Sequence, residues 1–304
     1  MRRTGATLGT TAGLLLIACA PTAAAAAHHT GKLPVKRIEA AVGAKGSVSS
    51  KVLSIGIDRD DISGVHLHGV PIKPSFEING EFDFQPLGKG RALMNGDIPV
   101  RGREINPVID AINAGGLKLQ AEHQHLYDFH PMVWFIHVRG KGRPVALARA
   151  VHAVITATST PLPQKPPAHP KTPLDKKRLK RILHGDSVDV GGDGVVTVSV
   201  PRRNRVRIRG THVKPETNIS TVVSFEPLNR AGTRAAVIPD FGMTAKEIGP
   251  VTRTMRARGW DIGCLYNQET AEHPQLYFSH QFKAGDPYAL AAEVRTGLNQ
   301  TNTP

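Results

Sequence analysis

The sequence predicts an α+β protein built as two tandem homologous domains, each an antiparallel sheet with helices on one face. Three observations carry that prediction. Apolar residues alternate with polar ones over several short segments, the period of half-buried strands. Other segments carry apolar residues at the i, i+3, i+4, i+7 spacing of one buried helix face. The same succession of segments occurs twice at an almost constant offset. Each unit reads as a split βαβ, ferredoxin-like core with an added β-hairpin. Two such sheets can pack side by side as an intramolecular pseudo-dimer.

The duplication is explicit in the residues. Glu104-Ile105-Asn106-Pro107-Val108 recurs as Glu247-Ile248-Gly249-Pro250-Val251, an offset of 143. His130-Pro131 then matches His273-Pro274, Phe135 and His137 match Phe278 and His280, and Ala146-Leu147-Ala148 matches Ala289-Leu290-Ala291. Upstream, Lys73-Pro74 matches Lys214-Pro215 and Phe84-Gln85-Pro86-Leu87 matches Phe225-Glu226-Pro227-Leu228. The predicted organisation is a signal peptide over 1–18, a lipidated Cys19 and flexible tether over 19–34, a first repeat over 35–157, a linker over 158–174, a second repeat over 175–300 and a tail over 301–304. The linker is proline-dense, which favours extended polyproline II over a packed element.

Within the first unit a short helix comes first, at Ile38 to Gly43, matched by Leu179 to Gly185 in the second. Alternating segments follow at 51–57, 65–72, 76–84 and 91–100. A helix over 104–114 buries Ile105, Val108, Ile109 and Ile112 and stops at Gly115-Gly116. Pro107 makes its first turn irregular. In the second copy Thr244 and Glu247 have capping-box spacing. A β-hairpin over 117–125 and 132–139 follows, its second strand β-branched and aromatic. Pro144 opens the last helix, and Asp286-Pro287 does the same with a good N-cap.

The N-terminus reads as an address. Arg2-Arg3 precedes a short apolar run ending in Leu16-Ile17-Ala18-Cys19. That is too short for a membrane span and has the form of a secretory signal. The last four residues look like a bacterial lipobox, which makes Cys19 the lipidation site and the membrane a partner through the anchor. The expected location is extracytoplasmic, at the cell membrane. With Cys19 acylated, Cys264 is left without a disulfide partner and reads as a buried strand residue.

Composition narrows the classes further. The 304 residues are 40% hydrophobic and 21% charged, which excludes collagen, a long coiled coil and a wholly disordered chain. The formal charge is +14. An exported address, 5% aromatic residues and the absence of a binding motif argue against specific nucleic-acid recognition. Walker, dinucleotide, His-Glu-x-x-His and Gly-x-Ser-x-Gly motifs are all missing.

The densest polar cluster runs from Glu122 to Pro131. His123 and His125 alternate, so in a strand both point to one face. Two imidazoles on one strand begin a transition-metal site that needs a third ligand, and His137 on the return strand is the candidate. The implied ion is a divalent transition metal such as zinc. Glu122 points the other way. The second copy has Tyr266 and Gln268 in place of His123 and His125 but keeps His273 and His280. The retained pairs, His130/His273 and His137/His280, fit roles in the fold. Polar surface histidine is the alternative for His123 and His125. His66 and His68 form a second alternating pair, with Arg207 and Arg209 as counterparts. Asp97 and Asp240 occupy matched positions before the helix, where turn formation competes with a ligand or base role.

Arg205, Arg207 and Arg209 form a stripe with Val206 and Ile208 facing inward. Such a stripe suits anionic lipid or an envelope polymer, and a solvated sheet face is its plain alternative.

Gly69-Val70-Pro71-Ile72-Lys73-Pro74, Gly96-Asp97, Glu104 to Pro107 and His123-x-His125 followed by Pro131 and Trp134 to His137 resemble the LppY/LpqO family of bacterial lipoproteins. The resemblance covers about residues 35–300. It implies an exported, lipid-anchored envelope protein with a duplicated unit and no established activity. Three functions stay open. One is a binding module that captures a small ligand or metal ion through the first-repeat hairpin. Another is a metal-dependent hydrolase or oxidoreductase using Asp97 or Asp128. The third is a structural protein that holds anionic lipid or polymer.

Overall fold

A computed structural model describes Met1 and residues 32–164 and 169–304. The signal segment from residue 2, Cys19, most of the tether and positions 165–168 of the linker lie outside the described residues.

The first repeat runs α1 (Val35–Val42), β1 (Ser47–Ser49), β2 (Val52–Asp58), β3 (His66–Leu67), β4 (Val70–Pro71), α2 (Pro74–Glu77), β5 (Asn79–Gly88), β6 (Arg91–Val100), α3 (Ile105–Ala114), β7 (Lys118–His123), β8 (Trp134–Gly142) and α4 (Pro144–Thr156). The second runs α5 (Lys176–Leu183), β9 (Ser187–Val190), β10 (Val196–Val200), β11 (Val206–Ile208), β12 (Thr211–Val213), β13 (Thr221–Pro227), β14 (Ala235–Met243), α6 (Ala245–Arg256), β15 (Asp261–Ile262), β16 (Glu272–His273), β17 (Tyr277–Gly285) and α7 (Pro287–Leu298). Each repeat builds a six-stranded antiparallel sheet. The orders are β1-β2-β5-β6-β8-β7 and β15-β17-β14-β13-β10-β9, the same topology twice. Because β8 lies between β6 and β7, the unit β6-α3-β7 is a split βαβ. No helix among the described residues is long and apolar enough to cross a membrane.

The helices cover one face of each sheet. In the first repeat Ile38, Val108, Ile112, Leu147, Val151 and Val154 pack on Phe82, Phe84, Met94, Ile136 and Val138. Each such side chain contributes about 1.5–3 kcal/mol on burial. The second repeat does the same with Leu179, Val251, Met255, Val294 and Leu298 on Val198, Phe225, Val237 and Phe241. The irregular start of α3 is a 3-10 turn at Gly102–Glu104. Asp286 caps α7 by accepting from the N–H groups of Tyr288 and Ala289. Glu247 closes its half of the capping box, accepting from the Thr244 N–H at 2.7 Å.

The uncovered faces of the two sheets meet each other. The sheets therefore lie face to face, not side by side, in the order helices, sheet, sheet, helices. Alternation explains why. In β8, Ile136 and Val138 point to the helices, so Phe135, His137 and Arg139 point to the other repeat. The junction is part apolar, with Phe76, Phe129 and Phe135 packed near Ala236, Ile238 and Phe282. It is also polar. Arg139 pairs with Glu269 at 2.6 Å, and Ser75 donates to Asp193 at 2.6 Å. The Asn95 side chain donates to the Thr217 carbonyl at 3.1 Å.

The segment 65–72 differs from the expected strand. It folds into the two-residue hairpin β3-β4, separate from the main sheet. Gly69 turns it at φ +76°, preceded by His68 at φ 50°.

Candidate metal centre

A bulge between Leu119 and Ala121 shifts the hairpin register, and past it Ala121 lies opposite His137 and His123 opposite Phe135, so odd residues there share one face. His123 and His137 thus point into the junction between the repeats, while Glu122 is exposed. β7 ends at His123, so His125 lies in the following loop and not on the strand. The loop still returns it to the same place. One ring nitrogen each from His123, His125 and His137 lie within 4.8 Å of one another.

The hydrogen bonds at the rings favour ligation. The Nε2 atoms of His123 and His137 are 2.9 Å apart. His123 Nδ1 is 3.1 Å from the Gln124 carbonyl, and His125 Nδ1 is 2.9 Å from Glu77 Oε2. An acceptor at Nδ1 holds the proton there and leaves the Nε2 lone pair free, the usual outer support of a ligating imidazole. His125 Nε2 is buried and has no hydrogen-bond partner among the described residues. A buried polar atom without a partner is costly and calls for an explanation.

The second repeat closes the site. Tyr266 stacks on His123 with ring centres 3.5 Å apart, and His280 stacks on His125 at 3.7 Å. A cavity of about 120 Å³ lies between the sheets. Asp97 sits opposite His137 in the β6–β8 ladder, and Asp240 sits opposite His280 in the β14–β17 ladder. Each repeat therefore presents a carboxyl–imidazole pair to the cavity. Glu77, at the end of α2, adds a third carboxyl and Glu81 a fourth. Among the described lining residues there is no Lys or Arg.

Burial sets the protonation of these groups. It drives His123 down to about 4 against the pull of the Gln124 carbonyl, and takes His125, His137 and His280 well below the usual range, where the charge of neighbouring imidazoles adds to the effect. It lifts Asp97 to about 7 and Asp240 to about 8, and pushes Glu77 well above the carboxylate range. At neutral pH the imidazoles are therefore neutral, the form that binds metals.

Several positions differ from their sequence-based roles. Asp97 and Asp240 lie within strands and line the cavity, so turn formation does not account for them. His137 and His280 are buried and line the polar cavity between the sheets. Cys264 follows β15 and is only half-buried, with Sγ 3.4 Å from His280 Nδ1, so it is a loop residue beside the centre and not a core strand residue. Burial pushes its thiol pKa up. His130 is exposed, and His66 meets it only through a backbone bridge. His68 faces Asp128 and Asp261 outside the cluster.

Glu77 carried no sequence signal as a partner of His125, since 48 residues separate them. Arg205, Arg207 and Arg209 are exposed, and Val206 and Ile208 between them are buried. Arg209 lies beyond β11 in a turn at φ 46°. Arg205 lines a second cavity of about 230 Å³ with Arg203 and His212, apart from the histidines.

No curated protein matches the chain. Among solved structures it is similar to the crystal structure of EtuB from Clostridium kluyveri, at 10% identity and a TM-score of 0.18, over 84% of this chain and 90% of that one. A likeness at that score supports no statement about function. The two repeats themselves are matched by a single family over residues 36–157 and 177–300, and the chain belongs to that family, described as Domain of Unknown Function (DUF1259).

Proposed function

We propose that this protein captures a divalent transition-metal ion between its two repeats, as an exported, lipid-anchored envelope module of the LppY/LpqO type. One observation carries the metal reading. Three histidines converge within 4.8 Å, and two of them have the far ring nitrogen beside an oxygen acceptor. Zinc suits three neutral imidazoles, with the fourth position open toward the cavity. Copper competes on affinity alone. Glu77 fixes the tautomer and orientation of His125, and Gln124 does so for His123. Tyr266 and Phe135 shield the rings from bulk water. The lipobox-like run ending at Cys19 supports the anchor.

The test is elemental analysis of the full chain, purified in detergent without a histidine tag, beside a His123→Ala/His125→Ala variant. Near-stoichiometric metal in the wild type and none in the variant is the expected result. No metal after incubation with zinc, copper, iron and manganese overturns the reading. A Cys19→Ser variant tests the anchor separately. It should leave the membrane pellet for the soluble fraction, and retention in the pellet counts against lipidation.

A further inference from the structure

We infer that the cavity holds two metal ions, the second bound by Glu77, His125 and His280, with His125 bridging the pair through its two ring nitrogens. The inference rests on the proposed first ion at His123, His125 and His137 and adds a site that draws on both repeats.

The geometry supports a second donor set. One donor atom each from Glu77, His125 and His280 lie within 4.8 Å of one another, and all three residues are buried. Glu77 Oε2 is 2.9 Å from His125 Nδ1 and 3.9 Å from His280 Nε2. A single carboxylate oxygen thus stands between two imidazole nitrogens. The nitrogen of His125 that faces Glu77 is Nδ1, while its Nε2 is the buried atom left without a partner. The two nitrogens of one ring point in divergent directions, so each can serve a different ion. Asp240 Oδ1 is also buried without a hydrogen-bond partner among the described residues and lies 3.7 Å from His280 Nδ1.

Charge gives an independent argument. Glu77, Glu81, Asp97 and Asp240 line the cavity with no Lys or Arg among the described lining residues, in a chain of formal charge +14. Four carboxyl groups with no fixed cation beside them are a donor set for cations and not for anions.

Filling the second site releases two protons. The Nδ1 proton of His125 leaves to solvent, which makes the ring an imidazolate. Glu77 then loses its own carboxyl proton to solvent, gives up its hydrogen bond with Nδ1 and takes a metal–oxygen bond.

The experiment counts zinc ions per chain by native mass spectrometry on the full chain in detergent. Two ions are expected in the wild type. Glu77→Gln and His280→Gln, which keep side-chain size, should each reduce the count to one. One ion in the wild type, unchanged in both variants and lost in His123→Ala, overturns the second site and leaves the proposed function standing. No ion at all overturns both. Two ions that persist in Glu77→Gln/His280→Gln place the second ion elsewhere and also overturn the inference. Copper loading of the wild type needs no variant. An imidazolate bridge couples the two copper spins, so the integrated electron paramagnetic resonance signal should fall below the copper count at low temperature. A full signal from two bound ions removes the bridge.

Discussion

Arg59 and Glu104 form a buried ion pair at 2.9 Å that joins the end of β2 to the start of α3. The second repeat makes the same pair from Arg202 and Glu247, again at 2.9 Å. Both glutamates also accept a backbone N–H at the head of their helix. One difference between them bears on stability. Arg59 has a second carboxylate partner in Asp61, whereas Glu247 is the carboxylate partner of Arg202 among the described residues.

That difference predicts an order of damage. Glu247→Ala leaves a buried guanidinium without a countercharge and should cost about 3–5 kcal/mol. Glu104→Ala should cost less, because Asp61 still faces Arg59. Urea denaturation of the two variants decides the point, and an equal or reversed order refutes it.

Arg139 and Glu269 tie the repeats together at 2.6 Å, both nearly inaccessible to solvent. Arg139 also donates to the Thr270 carbonyl at 3.0 Å. Arg139→Ala should therefore destabilise the chain by about 3–5 kcal/mol. The two tryptophans divide between the repeats, Trp134 in the first and Trp260 in the second. Single-tryptophan variants should report one coincident transition that shifts in both repeats. A shift confined to one tryptophan would mean that the repeats unfold independently.

Glu272 predicts a pH dependence. Burial lifts its carboxyl from 4.5 to about 8, with Glu269 adding to the shift against the pull of the Leu276 N–H and Arg139. The native form keeps a proton that the unfolded chain has released. Its contribution to stability is full below about pH 4.5 and is lost as pH rises toward 8. Glu272→Gln imitates the protonated state and should flatten that part of the Tm-against-pH curve, raising Tm at pH 8 by about 2–4 °C per kcal/mol regained. An unchanged slope in the variant would count against the assignment.

Gly96 and Gly56 form a matched control in the first sheet. A Cβ at Gly96 would lie 2.1 Å from the Glu81 carbonyl and 2.9 Å from the Phe82 Cα, whereas at Gly56 nothing comes within 4 Å. Gly96→Ala should cost about 1–3 kcal/mol. Gly56→Ala should be neutral or slightly stabilising. Thermal melts of the pair test this, and similar losses at both sites would contradict it.

Local periodicity made much of the architecture legible. The helix from Ile105 was readable from Val108 and Ile112, and the split βαβ followed once the repeat was aligned. The histidine trio was legible as a set, but His125 joins it from the loop after β7 and not along the strand. Asp97 was read as a turn residue from its place shortly before the helix, although it lies inside the segment 91–100 read as a strand, and β6 runs on through it to Val100. Cys264 was misread because β15 stops at Ile262. Glu77 and His280 reach the centre only through contacts between distant segments. Glu77 left no trace in sequence, and the one trace of His280 was the offset of 143 shared by Asp97/Asp240 and His137/His280. A carboxyl–imidazole pair kept in both copies was a site signal, and it was read as part of the fold.

Covalent fusion of the two repeats releases their junction from two-fold symmetry. In a dimer of identical single units every substitution appears on both sides of the interface. A histidine at the position of His123 would then be repeated at that of Tyr266, and a glutamate at that of Glu77 would be repeated at that of Asn218. In one chain the halves can specialise. One side supplies most of the donor atoms, while the other supplies the Tyr266 ring and a single reaching imidazole.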